Sequence, residues 1–254
     1  MSPVSPSPIS ISVVIPAFNE ERRLPDTLAE LAAYLGQQGW DWEIRVVDDG
    51  STDGTTRVVE EMARAEDRIV LQREPHRGKG GAVKAGLTAA KSTLRFICDA
   101  DLSMPVRELR RFLPPHVGAC DVAIGSRQAA GARRIGEPFL RHFIGLVFNL
   151  ATRWLVLGGF EDTQCGFKMF TAGAVDAVFP FVTLEGWAFD VEALCIAREQ
   201  GLRVIEVPIE WHHRAESRVS VMRDSVRMFK DLLRIRARKR SRTLTPGAGS
   251  FRRS

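Results

Sequence analysis

Asp99-Ala100-Asp101 sets two carboxylates two residues apart, directly after the apolar run Leu94–Cys98. Past the end of a strand, such a pair can turn toward a common site. Its hard oxygens suit Mg2+ or Mn2+, which take one or two protein carboxylates and complete their shell with substrate phosphates. A divalent ion bridging a diphosphate would neutralise the charge that grows as the diphosphate leaves. Asp48-Asp49-Gly50-Ser51-Thr52-Asp53-Gly54-Thr55 follows a second apolar run, Ile44–Val47. A carboxylate there can accept from a nucleobase N–H or a ribose hydroxyl, while Asp53-Gly54-Thr55 reads as a turn that caps a helix, with Thr55 as N-cap. Arg77-Gly78-Lys79-Gly80-Gly81 opens a further helix, where backbone N–H groups and Lys79 suit phosphate, although the spacing is not that of a Walker A loop. Arg127, Arg133, Arg134 and Arg141 fall close together with Glu137 the only acid nearby, and guanidinium forks match phosphate oxygens. Taken singly, each motif has a plainer reading as a loop carboxylate, a cap or a solvated arginine. Their order along the chain points to a ligand.

The elements that must position these residues are readable from periodicity. Ile11–Ile15, Ile44–Val47, Ile69–Leu71, Leu94–Cys98 and Val122–Ile124 are short apolar runs, and between them Leu24–Leu35, Thr55–Ala65, Gly80–Lys91 and Val106–Leu113 read as helices. Apolar strands alternating with helices predict an α/β fold with a mostly parallel sheet covered on both faces. Asn19-Glu20, Asp48-Asp49, Asp99–Asp101 and Ser126-Arg127 each follow a strand's C-terminal end, the rim at which open α/β sheets bind ligands. Arg203–Trp211 reads as a further strand and Met222–Arg238 as a basic amphipathic helix. Phe143, Val147, Leu150, Trp154 and Leu157 share one helical face, and His142, Asn149, Thr152 and Arg153 the other. That apolar face fits either the sheet or a membrane interface.

At 254 residues the chain predicts a Ser/Pro-rich leader over 1–10, one domain over 11–238 and a basic tail over 239–254. The net charge of +5 belongs to the end of the chain: eight of the 36 Lys/Arg fall in 234–254, which has no acid, and the remainder carries 28 basic against 31 acidic residues. A body without a basic surplus argues against a nucleic-acid partner, while a cationic end suits anionic lipid. Cys98, Cys120, Cys165 and Cys195 lack metal or disulfide spacing and read as reduced thiols. No signal peptide or membrane span is read, since Asn149, Thr152 and Arg153 interrupt the longest apolar stretch.

Four segments together resemble the family 2 glycosyltransferases of GT-A fold: Ser12–Glu20 (SVVIPAFNE), Val46–Thr55 (VVDDGSTDGT), Gly78-Lys79-Gly80 and Asp99-Ala100-Asp101. Asp162–Lys168 (DTQCGFK) and Trp187–Glu192 (WAFDVE) are similar to the dolichyl-phosphate β-glucosyltransferase branch, more than to the mannosyl branch. The resemblance implies that Pro16, Phe18, Glu20, Val47 and Asp49 line the nucleoside, and that Asp99, Ala100 and Asp101, with Mg2+ or Mn2+, hold the diphosphate. It further implies that Arg127 meets phosphate and that Ser217-Arg218 stands where the family carries Ser-Lys. With the arginine cluster, the acceptor-phosphate set is Arg127, Arg134, Arg141 and Arg218. Asp162 and Asp190 would be positioning groups for a phosphate acceptor, or base candidates for a hydroxyl acceptor. The implied reaction is inverting transfer of glucose from UDP-glucose to a polyprenyl phosphate, by an enzyme bound peripherally at the cytoplasmic face of a membrane. No protein partner is inferred. The alternatives are GDP-mannose as donor, a saccharide hydroxyl as acceptor, a nucleotidyltransferase, and a nucleotide-binding module without catalysis.

Overall fold

The computed structural model describes residues 9–136, 145, 149–150, 152–213 and 221–243. In chain order its elements are β1 (Ser10–Ala17), α1 (Leu24–Gly36), β2 (Asp41–Asp49), α2 (Thr55–Ala65), β3 (Ile69–Glu74), α3 (Lys79–Ala89), β4 (Leu94–Ile97), β5 (Val122–Ser126), β6 (Arg133–Ile135), β7 (Lys168–Thr171), α4 (Ala172–Val178), α5 (Phe189–Glu199), β8 (Val204–Pro208), β9 (Glu210–His212) and α6 (Val221–Thr243). Seven strands form one sheet in the order β3-β2-β1-β4-β7-β5-β8. All pairs are parallel except those of β7, which runs antiparallel to both β4 and β5. Strands β6 and β9 make a separate parallel pair.

Both faces of the sheet are covered, and β1 shows why the run needed no polar alternation. Ile11, Val13, Ile15 and Ala17 enter one core cluster, while Val14 enters the other. Strand β2 divides likewise, with Ile44 and Val46 on one side and Val47 on the other. Helix α3 lies close on the sheet because Gly86 has no side chain: a Cβ there would stand 2.4 Å from Val14 and 2.7 Å from Val47.

Several boundaries differ from the sequence expectation. Val106–Phe112 is a 3-10 helix. Thr55 is the first residue of α2 and Gly54 its cap, with no side-chain cap bond from Gly54. The neighbouring acceptor is Asp53 Oδ1, which takes Thr55 N at 3.0 Å and Thr55 Oγ1 at 2.5 Å. Arg203–Trp211 divides into β8 and β9, which join different sheets. The break falls at Pro208-Ile209, where Ile209 N still reaches Ser126 O before the chain leaves the main sheet. Helix α6 continues through Thr243, beyond the boundary drawn at 238, and β1 begins inside the segment assigned to the leader.

The largest difference lies in the segment Phe143–Leu157. Phe143 and Val147 are outside the described residues. Among the rest, Asn149 and Thr152, assigned to the solvent face, are buried, whereas Leu150 and Trp154 are 56% and 82% exposed. Leu157 is buried. The turn after 152–155 explains its position: Val156 N and Leu157 N both donate to Thr152 O, which folds Leu157 back into the core. Among the described residues, no helix is long and apolar enough to cross a membrane.

Candidate active site

The rim is formed where β1, β2, β4 and β5 end. Cys98 N still donates to Val14 O at 3.0 Å, so the ladder persists up to Asp99. The chain then turns sharply, with Leu102 at φ +44°. Such a conformation in a non-glycine residue costs about 1–3 kcal/mol and persists only where surrounding contacts impose it. Here Leu102 is buried, Thr27 Oγ1 donates to Ala100 O at 2.7 Å, and Asp101 Oδ1 accepts from Ser103 N at 2.9 Å. Ala100 is buried in the core, so it offers the rim only backbone.

Asp99 reaches Lys79 Nζ through Oδ1 at 2.5 Å. Its other oxygen lies over Gly166, where an added Cβ would stand 1.8 Å from Oδ2. Lys168, on β7, is wholly buried and meets Asp190 Oδ1 at 2.7 Å and Cys165 O at 2.5 Å. Arg127 grips Asp162 with Nε at 2.6 Å and Nη2 at 2.9 Å, and its backbone N donates to the same carboxylate at 3.0 Å. Three carboxylates are thus each matched to a cation. Burial would raise the Asp99 carboxyl, but the charge and hydrogen bond of Lys79, with the charges of Lys168 and Arg127, together outweigh it and hold the group low. Lys79 itself stays above its ordinary value: Asp99 and Asp190 overcome its desolvation. Asp190 goes the other way, because burial wins over the charges of Lys168 and Lys79. For Asp162, burial is overcome by Arg127, and the carboxyl sits at about 2.

The last shift predicts an acid limb in stability. Asp162 falls from an ordinary 3.8 to about 2 in the folded chain. A depressed folded value stabilises above the unfolded one, and that contribution, about 2 kcal/mol, is lost as pH falls from 4 through 2. Urea denaturation between pH 5 and 2 should show it in the parent and not in Asp162→Asn; parallel losses would contradict it.

Past the end of β1, Phe18 is 37% exposed and stacks on His76 with ring centroids 4.4 Å apart. Asn19, at φ +56°, zips this loop to the next: its Oδ1 accepts from Thr52 N at 2.8 Å, and Glu20 N donates to Thr55 Oγ1 at 2.7 Å. Asp49 accepts from Arg77 N at 2.8 Å and Gly78 N at 2.9 Å, tying β2 to the start of α3. Glu20 pairs with Arg23 at 2.6 Å. Pro16 is half-buried and stands opposite Val47 in the β1–β2 register. Val47 requires a correction: it is fully buried and belongs to the core, so its side chain does not line a nucleoside.

Lys79, expected to meet phosphate, contacts Asp99. Arg134 Nε donates to Arg127 O at 2.9 Å, which joins those two arginines. Arg141 and Arg218 lie outside the described residues. Asp190 stands in the first turn of α5 and pairs with Lys168, as Asp162 pairs with Arg127. Sequence reasoning missed Lys168, whose signal was a lone charge inside the apolar stretch Cys165–Phe170. It also missed Glu206, which accepts from Glu161 N and Asp162 N at 2.9 and 3.0 Å and so fixes the Asp162 loop.

Asp99 and Asp101 suit a divalent ion by donor chemistry, and the bare face of Gly166 leaves the Asp99 carboxylate its space. Among the described residues no cluster of three or more His, Cys, Asp or Glu could hold a metal. The remaining ligands would therefore come from a bound diphosphate and water, the ordinary arrangement for Mg2+.

Residues 12–178 match the family model described as "Glycosyl transferase family 2". The chain belongs to that family. This glycosyltransferase is 34% identical to a dolichyl-phosphate beta-glucosyltransferase of Trichomonas vaginalis, over 89% of this chain and 73% of the relative. It is 32% identical to the dolichyl-phosphate beta-glucosyltransferase of Saccharomyces cerevisiae, over 90% and 74%. A crystal structure of glucosyl-3-phosphoglycerate synthase from Mycobacterium tuberculosis in complex with Mn2+ and UDP-glucose superposes with a TM-score of 0.66 at 19% identity, covering 95% of this chain and 81% of that one. The likeness to that structure is one of fold, and the fold is GT-A.

Proposed function

We propose that this family 2 glycosyltransferase moves glucose from UDP-glucose to a polyprenyl phosphate, dolichyl phosphate or a close analogue, with inversion at the anomeric carbon. The observation that carries the reading is the Arg127 fork on Asp162, which holds that base candidate at about 2; the other, Asp190, is held on Lys168 within the core. A sugar hydroxyl must lose a proton to attack, and needs a positioned base. A phosphate acceptor is already anionic and needs none. The activities that the T. vaginalis and S. cerevisiae relatives bear by name support the same acceptor and sugar.

In this mechanism Phe18, Asn19 and the Asp49 loop hold the nucleoside end, and Lys79 lies beside the diphosphate. Arg134, with Arg141 and Arg218, would draw in the acceptor phosphate and aim one oxygen at the anomeric carbon, while Arg127, its fork held by Asp162, adds positive charge beside them and carries Arg134 on its carbonyl. Bringing two anions together in line is most of the task, so positioning and fixed positive charge supply most of the rate. The new bond joins the acceptor oxygen to C1 as the C1–O bond to UDP breaks, and UDP leaves with the electron pair. Asp99 and Asp101 would hold Mg2+ or Mn2+, which supplies Lewis-acid stabilisation of the departing diphosphate. Transfer measured with UDP-glucose and GDP-mannose in parallel tests the donor: the first is the expected substrate, and a preference for the second would replace glucose by mannose.

The same reading requires the enzyme to meet a lipid surface. Trp154 and Leu150 are exposed, as are Phe229 and Leu233 on the basic helix α6. We expect peripheral binding to the cytoplasmic leaflet, driven by these side chains and by about 1 kcal/mol per basic residue near anionic lipid. Co-sedimentation with phosphatidylglycerol vesicles should fall with added salt and with Trp154→Glu or Leu233→Glu. Binding indifferent to all three would contradict this surface.

A further inference from the structure

Glu192 lies two residues, about half a turn, beyond Asp190 on α5, so that it leaves the helix on a different face from Asp190, and it is almost fully buried. Its carboxylate is nonetheless fully engaged. Oε2 accepts from Thr183 N at 2.8 Å and Leu184 N at 2.7 Å; Oε1 accepts from Thr183 Oγ1 at 2.9 Å and Arg238 Nη1 at 2.9 Å. Arg238 also donates to Thr183 Oγ1. One buried side chain therefore fixes the start of the loop 183–187 and ties it to α6.

That loop is in turn the wall against which Lys79 is set. Glu185 O accepts from Gly80 N at 2.8 Å and from Gly81 N at 3.4 Å. The approach is so close that a Cβ on Gly78 would stand 2.7 Å from Glu185 O, and one on Gly80 2.6 Å from Leu184 O. Gly78 needs its freedom for a second reason, since its φ is +112°. Lys79, between these glycines, reaches Asp99, and the Trp187 ring at the end of the loop lies 5.2 Å from its Nζ. Behind the loop, between it and α3, is a groove of about 610 Å3 lined by Gln72, Glu74, Lys84 and Thr183 among others. Dense packing does not back the loop on that side, so hydrogen bonds must hold its position.

We infer that Glu192, braced by Arg238, is a positioning residue that clamps loop 183–187 onto the Gly78–Gly81 turn and so sets Lys79 for the donor diphosphate. Because Arg238 belongs to the helix assigned to the lipid surface, the clamp also ties that helix to the donor end of the site. The inference rests on the nucleotide-sugar reading above for its ligand, and on the hydrogen bonds alone for its mechanics.

Both parts are tested on the full chain. Amide hydrogen exchange of the segment spanning Gly80 and Gly81 should be faster in Glu192→Ala and Arg238→Ala than in the parent. Titration with UDP and Mn2+ should show affinity about tenfold weaker for Glu192→Ala, a change of about 1.4 kcal/mol. Arg238→Ala should weaken it less, and Arg238→Lys should restore it. In steady state the donor KM should rise while the acceptor KM stays put, a split that general loss of fold would not give. Should Glu192→Ala not fold, Arg238→Ala decides, since that side chain is half-exposed. Unchanged exchange at Gly80 and unchanged UDP affinity in a folded variant would overturn the inference. A parent chain that binds no UDP would refute the donor reading, and with it the ligand assigned to the clamp, while exchange at Gly80 would still decide the mechanics.

Discussion

Asp101→Asn should leave the protein folded and cut kcat by about a hundredfold or more, because Lewis-acid stabilisation is worth several kcal/mol in the transition state. The fold should survive because an amide oxygen still accepts from Ser103 N, the one side-chain contact that shapes this end of the turn. The side chain is half-buried at the rim and carries no core packing, so the stability change should stay within about 0.5 kcal/mol. What is lost is one of two carboxylates suited to a divalent ion, and with it the metal dependence. Turnover measured across a Mn2+ titration decides the point. A variant with parental kcat and a parental Mn2+ midpoint would remove Asp101 from the metal site.

Gly166→Ala should be nearly as damaging, although glycine carries no chemistry. The added carbon would lie 1.8 Å from Asp99 Oδ2 and 2.4 Å from its Cγ, so the carboxylate must swing away. That motion breaks the 2.5 Å contact with Lys79 and shifts, by an ångström or more, an oxygen of the carboxylate proposed to hold the metal. A misplacement of about 1 Å costs on the order of a hundredfold in rate when catalysis depends on alignment. The expected result is kcat/KM down by about that factor, with far-UV circular dichroism unchanged. Full activity in Gly166→Ala would mean that the geometry of Asp99 against Lys79 is unimportant to turnover.

The half of the chain before Ser126 was largely legible because its strands are buried on both sides. Ile11–Ile15 and Ile44–Val47 need no polar alternation, and each ends at the polar rim residue that matters. The later half follows other rules. Strand β7 is only four residues long, begins at the charged Lys168, and inserts antiparallel between two parallel neighbours. Its charge is tolerated in the interior because Asp190 arrives from α5, a pairing that no local pattern announces. The segment Asn149–Leu157 misled in part: periodicity put Thr152 on the polar face, yet it is buried, while of the apolar face, left open between the sheet and a membrane interface, Leu157 is buried and Trp154 is exposed.

The site was legible as a set of residues and not as a set of pairings. Asp99 and Lys79 were identifiable from type and spacing and Arg127 from its arginine cluster, while Asp162 and Asp190 entered through the family resemblance. That Lys79 rests on Asp99, and that Arg127 spends its fork on Asp162, depends on side chains more than 15 positions apart. The pairings changed the chemistry most at Asp162. The resemblance left it open as a base, whereas a carboxyl held at about 2 has little affinity for a proton. Val47 shows the converse, a position adjacent to a rim aspartate that turns into the core because neighbouring strand residues point to opposite faces.

The central claim is transfer to a phosphate, with inversion, and one measurement addresses it directly. The enzyme is incubated with UDP-glucose, Mn2+ and a short polyprenyl phosphate in detergent, with an equal concentration of a saccharide acceptor present, and the products are separated and examined by proton and phosphorus NMR. The account predicts a single glucosylated lipid with a β-configured anomeric proton coupled to phosphorus, and no glucosylated saccharide. Glucose found on the saccharide hydroxyl, or an α-configured glucosyl phosphate, would contradict it.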